Sequence, residues 1–423
     1  MEKIYLDYSA STPLDNEVLK IVHKNLKDVY GNPGSLHAFG QKAINILDIS
    51  REVTASILNA DFREVVFTAS ATEANNLALR GAVRAFSLHT KKKLKPKILV
   101  SAIEHESVLQ TAFDLEREGL VCVEIIPVDK NGFVLPESIE KSLDERTVLI
   151  SVMYANNVVG SIQPISEIAK VISNWKLAIG DIKSVYPLLH ADAVQAFQYL
   201  NCDVKKLGVD LFTLSSHKIY GPKGVGVLYI RNSKSQILNN KQVSNYNNQN
   251  KKQDGILNFP LVEPIITGGG QEFNFRSGTQ AAPLIAGFAH ALKKSDSARV
   301  HETKRIKELK KYLLDMLAKH LPKIQVNGGK GNNFLPNIIN LYIPGDYTSG
   351  ELLIALDMRG IAVSSGSACS VRSEKPSYVL QALQVKENRA KSSIRISMGK
   401  FTTKSELSRF VSVLKDILKK KFL

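Results

Sequence analysis

Between residues 64 and 230, short apolar runs alternate with amphipathic stretches. EVVFTA (64–69), KILVSAI (97–103), VCVEIIPV (121–128), TVLISVMY (147–154), PLLHA (187–191), DLFTLS (210–215) and VGVLYI (225–230) have the length and composition of strands. VCVEIIPV and TVLISVMY are apolar at almost every position, which predicts burial on both faces. TEANNLALRGAVRAF (72–86), SVLQTAFDLERE (107–118) and PISEIAKVISNW (164–175) carry the helical period, the last with Pro at a helix start. The alternation predicts an α/β fold, a mostly parallel sheet flanked by helices. At 423 residues the chain is long for one core, and a second, smaller α+β domain is expected. We place the large domain at 16–262 and the small one at 1–15 plus 263–423. NNKQVSNYNNQNKKQDG (239–255) lacks the apolar residues needed to offset ordering entropy. It reads as part of a surface insertion over about 231–262.

In such sheets ligands bind beyond the carboxyl ends of the strands, so the residues just past each apolar run matter most. After EVVFTA comes SAT and a helix start, where free N–H groups and the Thr72 hydroxyl suit an anion or simply cap the helix. His105 comes after KILVSAI, Asn156 and Asn157 after TVLISVMY, and Asp192 after PLLHA. Lys218 lies just past DLFTLS, beside His217 and a Gly/Pro loop. Each feature has a bland alternative: a turn, a solvated lysine, a structural histidine. Together they answer the needs of pyridoxal phosphate: a lysine for Schiff-base chemistry, an acid for the ring nitrogen and a cup for the phosphate.

Composition narrows the setting. The net charge of +16 raises nucleic acid as a partner, but no basic stretch is interleaved with aromatics as a stacking platform requires, so no direct nucleic-acid binding is expected. No apolar run approaches the roughly eighteen residues of a membrane span. The start MEKIYLDYSAST has no apolar secretory region. Three cysteines, Cys122, Cys202 and Cys369, are too few for a disulfide framework in this length. A cytoplasmic setting with no metal site is expected. Cys122 sits in an apolar run and reads as core, and Cys202 carries no assigned role.

The motifs YLDYSASTP, GNPGSLHAFG, ATEANN, EHESVL, HADAVQ, SSHKIYGPKG, GGGQEFNFRSGT, SSGSAC and SSIRISMGKFTT resemble, in order, those of the NifS/IscS-type cysteine desulfurases. These are class V aminotransferase-family enzymes of pyridoxal-phosphate fold type I that act as homodimers. The resemblance spans about residues 4–412. It implies that Lys218 binds the cofactor covalently and that Asp192 faces the ring nitrogen. It implies that His105 stacks on the ring and assists proton transfer, and that Asn157 and Gln195 hold the phenolic oxygen. Ala71, Thr72, Ser215 and His217 become phosphate ligands, with Thr279 reaching the phosphate from the other subunit. Arg395 and Asn32 become anchors of the substrate carboxylate, and Cys369 the catalytic cysteine. The chain departs from the family pattern at Ser70, where a glycine is usual, and at Thr267 and Gln271.

The implied activity converts L-cysteine to L-alanine and leaves a persulfide on Cys369. The sulfur then passes to an iron–sulfur scaffold protein or other acceptors, including those of tRNA thiolation. A selenocysteine lyase or an aminotransferase of the same fold is the alternative. Such a nucleophile must be a thiolate with access to its target. SSGSACSVRSEKP (364–376) surrounds Cys369 with small and charged residues that offer little packing.

Overall fold

The computed structural model describes residues 3–90, 94–179, 185–231, 260–329, 331–365 and 377–420. Cys369 and most of the 231–262 insertion lie outside the described residues. The strands are β1 (Ile4–Tyr5), β2 (Val65–Thr68), β3 (Lys97–Ser101), β4 (Cys122–Ile126), β5 (Thr147–Ser151), β6 (Leu188–Asp192), β7 (Leu211–Ser215), β8 (Gly226–Ile230), β9 (Gln325–Asn327), β10 (Ile338–Tyr342), β11 (Ile361–Ala362) and β12 (Ser393–Ser397). Seven of them form the central sheet in the order β2-β8-β7-β6-β5-β3-β4. Its pairings are parallel from β4 through β7, and β8 runs antiparallel to both β7 and β2.

β3, β5, β6, β7 and β8 are buried at every position, as sequences such as LFTLS and GVLYI require when helices cover both faces. VCVEIIPV departs from the expectation. β4 is an edge strand, Ile125 is exposed and Cys122 only half-buried. An apolar run records strand propensity, whereas position within the sheet depends on which neighbours arrive. The helix Ala71–His89 turns Ala74, Ala78, Ala82 and Ala85 inward, and these small side chains let it lie close on the sheet.

The helix Ala282–His320, 39 residues long and so about 60 Å, packs against helices Asn16–Asp28, Ala38–Leu58 and Lys404–Lys420. Its first half buries Ile285, Phe288 and Leu292, its second Ile306, Leu309, Leu313 and Leu317. A second sheet has the order β12-β10-β9, and β1 pairs with β11 in parallel. Ser397 at the end of β12 bonds to Leu6 O, which brings the chain's start beside the carboxyl edge of the central sheet. No helix among the described residues is long and apolar enough to cross a membrane.

Candidate active site

The carboxyl edge of the central sheet opens into a cavity of about 260 Å³, lined among others by Ala71, Thr72, His105, Asn157, Asp192, Gln195, Ser215, His217, Lys218 and Arg395. These residues come from several strand ends and the turns after them. Ser70 caps the helix Ala71–His89 by accepting the Glu73 N–H at 3.1 Å. The Ala71 and Thr72 N–H groups at the first turn have no hydrogen-bond partner among the described residues. Gly226 lets this helix start reach β8: a Cβ there would lie 2.5 Å from the Ser70 carbonyl carbon.

Lys218 ends a single helical turn, Ser216–Lys218. Its Nζ donates to Ser9 O and Ala10 O, both at 2.7 Å, and Gln195 Nε2 donates to the same Ser9 O at 2.9 Å. The chain's start thus forms the cavity wall beside the lysine. Asp192, 4% exposed, accepts from Asn75 Nδ2 at 2.9 Å and from the Val194 N–H at 3.0 Å. His105 caps the helix Glu106–Arg117 and its Nδ1 accepts the Ser107 N–H at 3.1 Å. In the neutral ring the proton therefore sits on Nε2. Arg395, 1% exposed, donates to Asn157 O at 2.9 Å and to Asp7 Oδ1 at 2.7 Å.

Burial shapes the titration of groups near the cavity. The Glu104 carboxyl, fully buried, is pushed up to about 8, first by desolvation and further by nearby Asp192, against hydrogen bonds from Ser101 and Met153. Desolvation lowers His190 to about 4. His217 falls to about 4 through burial and the charges of Lys218 and Lys223. Burial thus favours the neutral form of both rings.

Three expected site residues stand apart. Asn32 is absent from the cavity lining, and its Oδ1 accepts the Gly34 N–H at 2.9 Å, shaping a local turn. Thr279 is exposed and likewise absent from the lining. Cys369 lies outside the described residues. Conversely, several residues without a sequence-based role belong to the site. Ser9 and Ala10 hold Lys218, Asn75 holds Asp192, Asp7 holds Arg395, and Tyr378 lines the cavity while donating to Glu104 O at 2.6 Å. Asn75 and Glu104 fall at or beside quoted motifs, and their polarity within apolar surroundings was the available signal.

The residues present fit pyridoxal phosphate. Two unpartnered N–H groups at a helix start suit a phosphate. The buried Asn157 Oδ1 has no partner among the described residues, which marks a position for a ligand hydrogen bond. A buried carboxylate and a lysine amine stand on the same cavity. Residues 4–410 match the family model Aminotransferase class-V. "Cysteine desulfurase IscS" of Dictyoglomus turgidum is 37% identical over 419 residues, 99% of this chain and 95% of that protein. Among solved structures, a NifS-like protein is 32% identical at a TM-score of 0.83, with complete coverage of both chains. SspA in complex with cysteine is 30% identical at 0.74, covering 95% of this chain and all of the other. With its fold, cavity and full-length likeness in agreement, the chain belongs to the class-V aminotransferase family, among its pyridoxal-phosphate-dependent cysteine desulfurases.

Proposed function

We propose that the Lys218 cavity is where this enzyme takes the sulfur of L-cysteine, with Cys369 as the acceptor thiol. The observation that carries this reading is the convergence of Lys218, Asp192, His105 and Arg395 on one cavity. Lys218 is the covalent attachment point for the cofactor. When bound, pyridoxal phosphate supplies an electron sink for the substrate's α-carbon. Arg395 pairs with the substrate carboxylate through its planar fork. Asp192, held by Asn75, would pair with the ring nitrogen. Asn157 and Gln195 would hold the phenolic oxygen, and Ala71, Thr72, Ser215 and His217 would hold the phosphate. Lys218 Nζ would take the proton from the substrate Cα, and His105 Nε2 would relay protons.

The Cys369 thiolate attacks the substrate sulfur. The new S–S bond forms as the C–S bond breaks, and the bonding pair leaves with the carbon fragment, which is protonated to L-alanine. The sulfur stays on Cys369 as a persulfide for an iron–sulfur scaffold protein or a tRNA-thiolation acceptor. The working form is a cytoplasmic homodimer in which Thr279 reaches the partner's phosphate and Asn32 assists the substrate carboxylate. The large unit spans 16–262 and the small one 1–15 plus 263–423.

The test is Cys369→Ser. It should stop persulfide and sulfide formation while the cofactor's visible absorbance persists, and mass analysis of wild type after cysteine should place the extra sulfur on Cys369. Undiminished sulfur release from the variant, or the added mass on Cys122 or Cys202, would overturn the assignment.

A further inference from the structure

The segment that carries Thr279 has a costly construction. Glu272, Phe273 and Asn274 are consecutive residues with φ of 48°, 57° and 69°. For non-glycine residues this crowds Cβ against the backbone, and such runs persist where the surroundings impose them. Beneath the turn, Arg51 and Glu272 form a two-pronged ion pair at 2.8 Å on each arm. Both are almost fully buried. The guanidinium lies 4.8 Å from the ring centres of Phe67 and Phe273 and 5.6 Å from that of Phe62. Glu272 Oε2 also accepts the Phe67 N–H at 2.8 Å, and Oε1 accepts from Gln280 Nε2 at 3.2 Å.

A buried ion pair is weak evidence for stability, because desolvation offsets most of the attraction, whereas it sets geometry well. Here the pair joins the turn to β2, whose end leads into the first turn with the unpartnered N–H groups. A second tie runs the same way. Arg276 pairs with Glu73 at 2.7 Å, and Glu73 Oε2 accepts the Ala69 N–H at 2.9 Å. Gln271 Oε1 accepts the Gly278 N–H at 2.8 Å and closes the loop. The result is a braced segment whose exposed tip, Gly278 and Thr279, lines no part of its own cavity.

We propose that Arg51 and Glu272 are positioning residues: the buried pair holds the left-handed turn so that Thr279 is presented, preformed, to the cofactor phosphate of a second copy of this chain. The inference rests on the reading of Thr279 as a ligand supplied by the partner. The conservative variants are Glu272→Gln and Arg51→Lys. A glutamine can keep its oxygen on Phe67 N–H and Arg51 Nη1, but it turns an amide N–H₂ toward Arg51 Nη2. A lysine keeps the charge and loses the fork.

The experiment titrates apoenzyme with pyridoxal 5'-phosphate and, separately, with pyridoxal, which lacks the phosphate. Absorbance reports binding, and circular dichroism reports folding. Glu272→Gln and Arg51→Lys should each weaken pyridoxal-phosphate binding by about tenfold or more and leave pyridoxal binding unchanged. Thr279→Ala should show the same selective loss, and Thr279→Ala/Glu272→Gln should lose no more than Thr279→Ala alone. Equal losses for both ligands, no loss, or additive losses alongside a selective Thr279→Ala effect would overturn the positioning role and leave the Thr279 reading standing. Unchanged phosphate affinity in Thr279→Ala would overturn that reading and the inference with it. Should Glu272→Gln fail to fold, Arg51→Lys decides by the same comparison.

Discussion

Asp7 Oδ1 accepts a hydrogen bond from Arg395 Nη2 at 2.7 Å, joining residues 388 apart in the chain. Asn157 O holds the other arm of the fork, so the guanidinium is oriented before any substrate arrives. Removing Asp7 takes an ion-pair partner away from a buried cation. Asp7→Ala should destabilise the fold by about 2–3 kcal/mol and raise KM for cysteine. Arg395→Lys should raise KM by roughly tenfold or more, since the point charge cannot fork. Thermal unfolding and steady-state kinetics check both; an unchanged KM in Asp7→Ala would refute the orienting role.

Asn75 bridges Asp192 Oδ2 and Ser107 Oγ at 2.9 and 2.8 Å from a fully buried position. Asn75→Ala should cost about 1–3 kcal/mol and move the visible absorbance of the bound cofactor, because the carboxylate assigned to the ring nitrogen loses its tether. Unfolding by denaturant gives the first quantity and the holoenzyme spectrum the second.

Glu104 and the two neutral histidines pull stability in opposite directions with pH. Folding carries Glu104 from its ordinary value of 4.5 to about 8. Between those values the folded chain keeps a proton that the unfolded chain has released, so this contribution falls as pH rises. His190 and His217 fold with values near 4 against an ordinary 6.5. Burial of the neutral rings costs nothing above 6.5, and stability is lost as pH falls from there towards 4, where the unfolded chain takes up protons that the folded rings refuse. Glu104→Gln should therefore remove the decline in stability between about pH 6.5 and 8, by on the order of a few kcal/mol, and steepen the rise between 4.5 and 6.5, where the glutamate partly offsets the two histidines. Denaturant unfolding of wild type and variant at a series of pH values reads both limbs.

Burial pushes the Cys202 thiol up to about 12, and its side chain is enclosed in the core. Thiolate reagents should leave Cys202 unmodified in the native protein and label it fully on denaturation. Cys122, half-buried on the edge strand, should react at an intermediate rate. Peptide mapping after timed alkylation separates the two.

Much of the site could be read along the chain because cofactor enzymes of this fold take functional groups from successive strand ends. Lys218, Asp192, His105 and Thr72 each lie just past or at the close of an apolar run, and all four line one cavity. Positions whose role depends on another part of the chain were not legible. Nothing around Asp7 announces Arg395, and nothing around Ser9 or Ala10 announces the Lys218 amine. A carbonyl oxygen has no sequence signature at all. Asn32 sits in a matched motif, yet within this single chain it caps a local turn and lines no part of the cavity.

By itself, then, the sequence determined the strand and helix pattern, the chemical identity of the cavity groups and their order, because these arise from local propensity and side-chain type. Only the tertiary structure decided that VCVEIIPV is an edge strand, that Asn75 holds Asp192, and that Arg51 reaches Glu272 across 221 positions of chain. Those relations come from packing between distant segments, where burial and geometry choose the partner that sequence proximity cannot indicate.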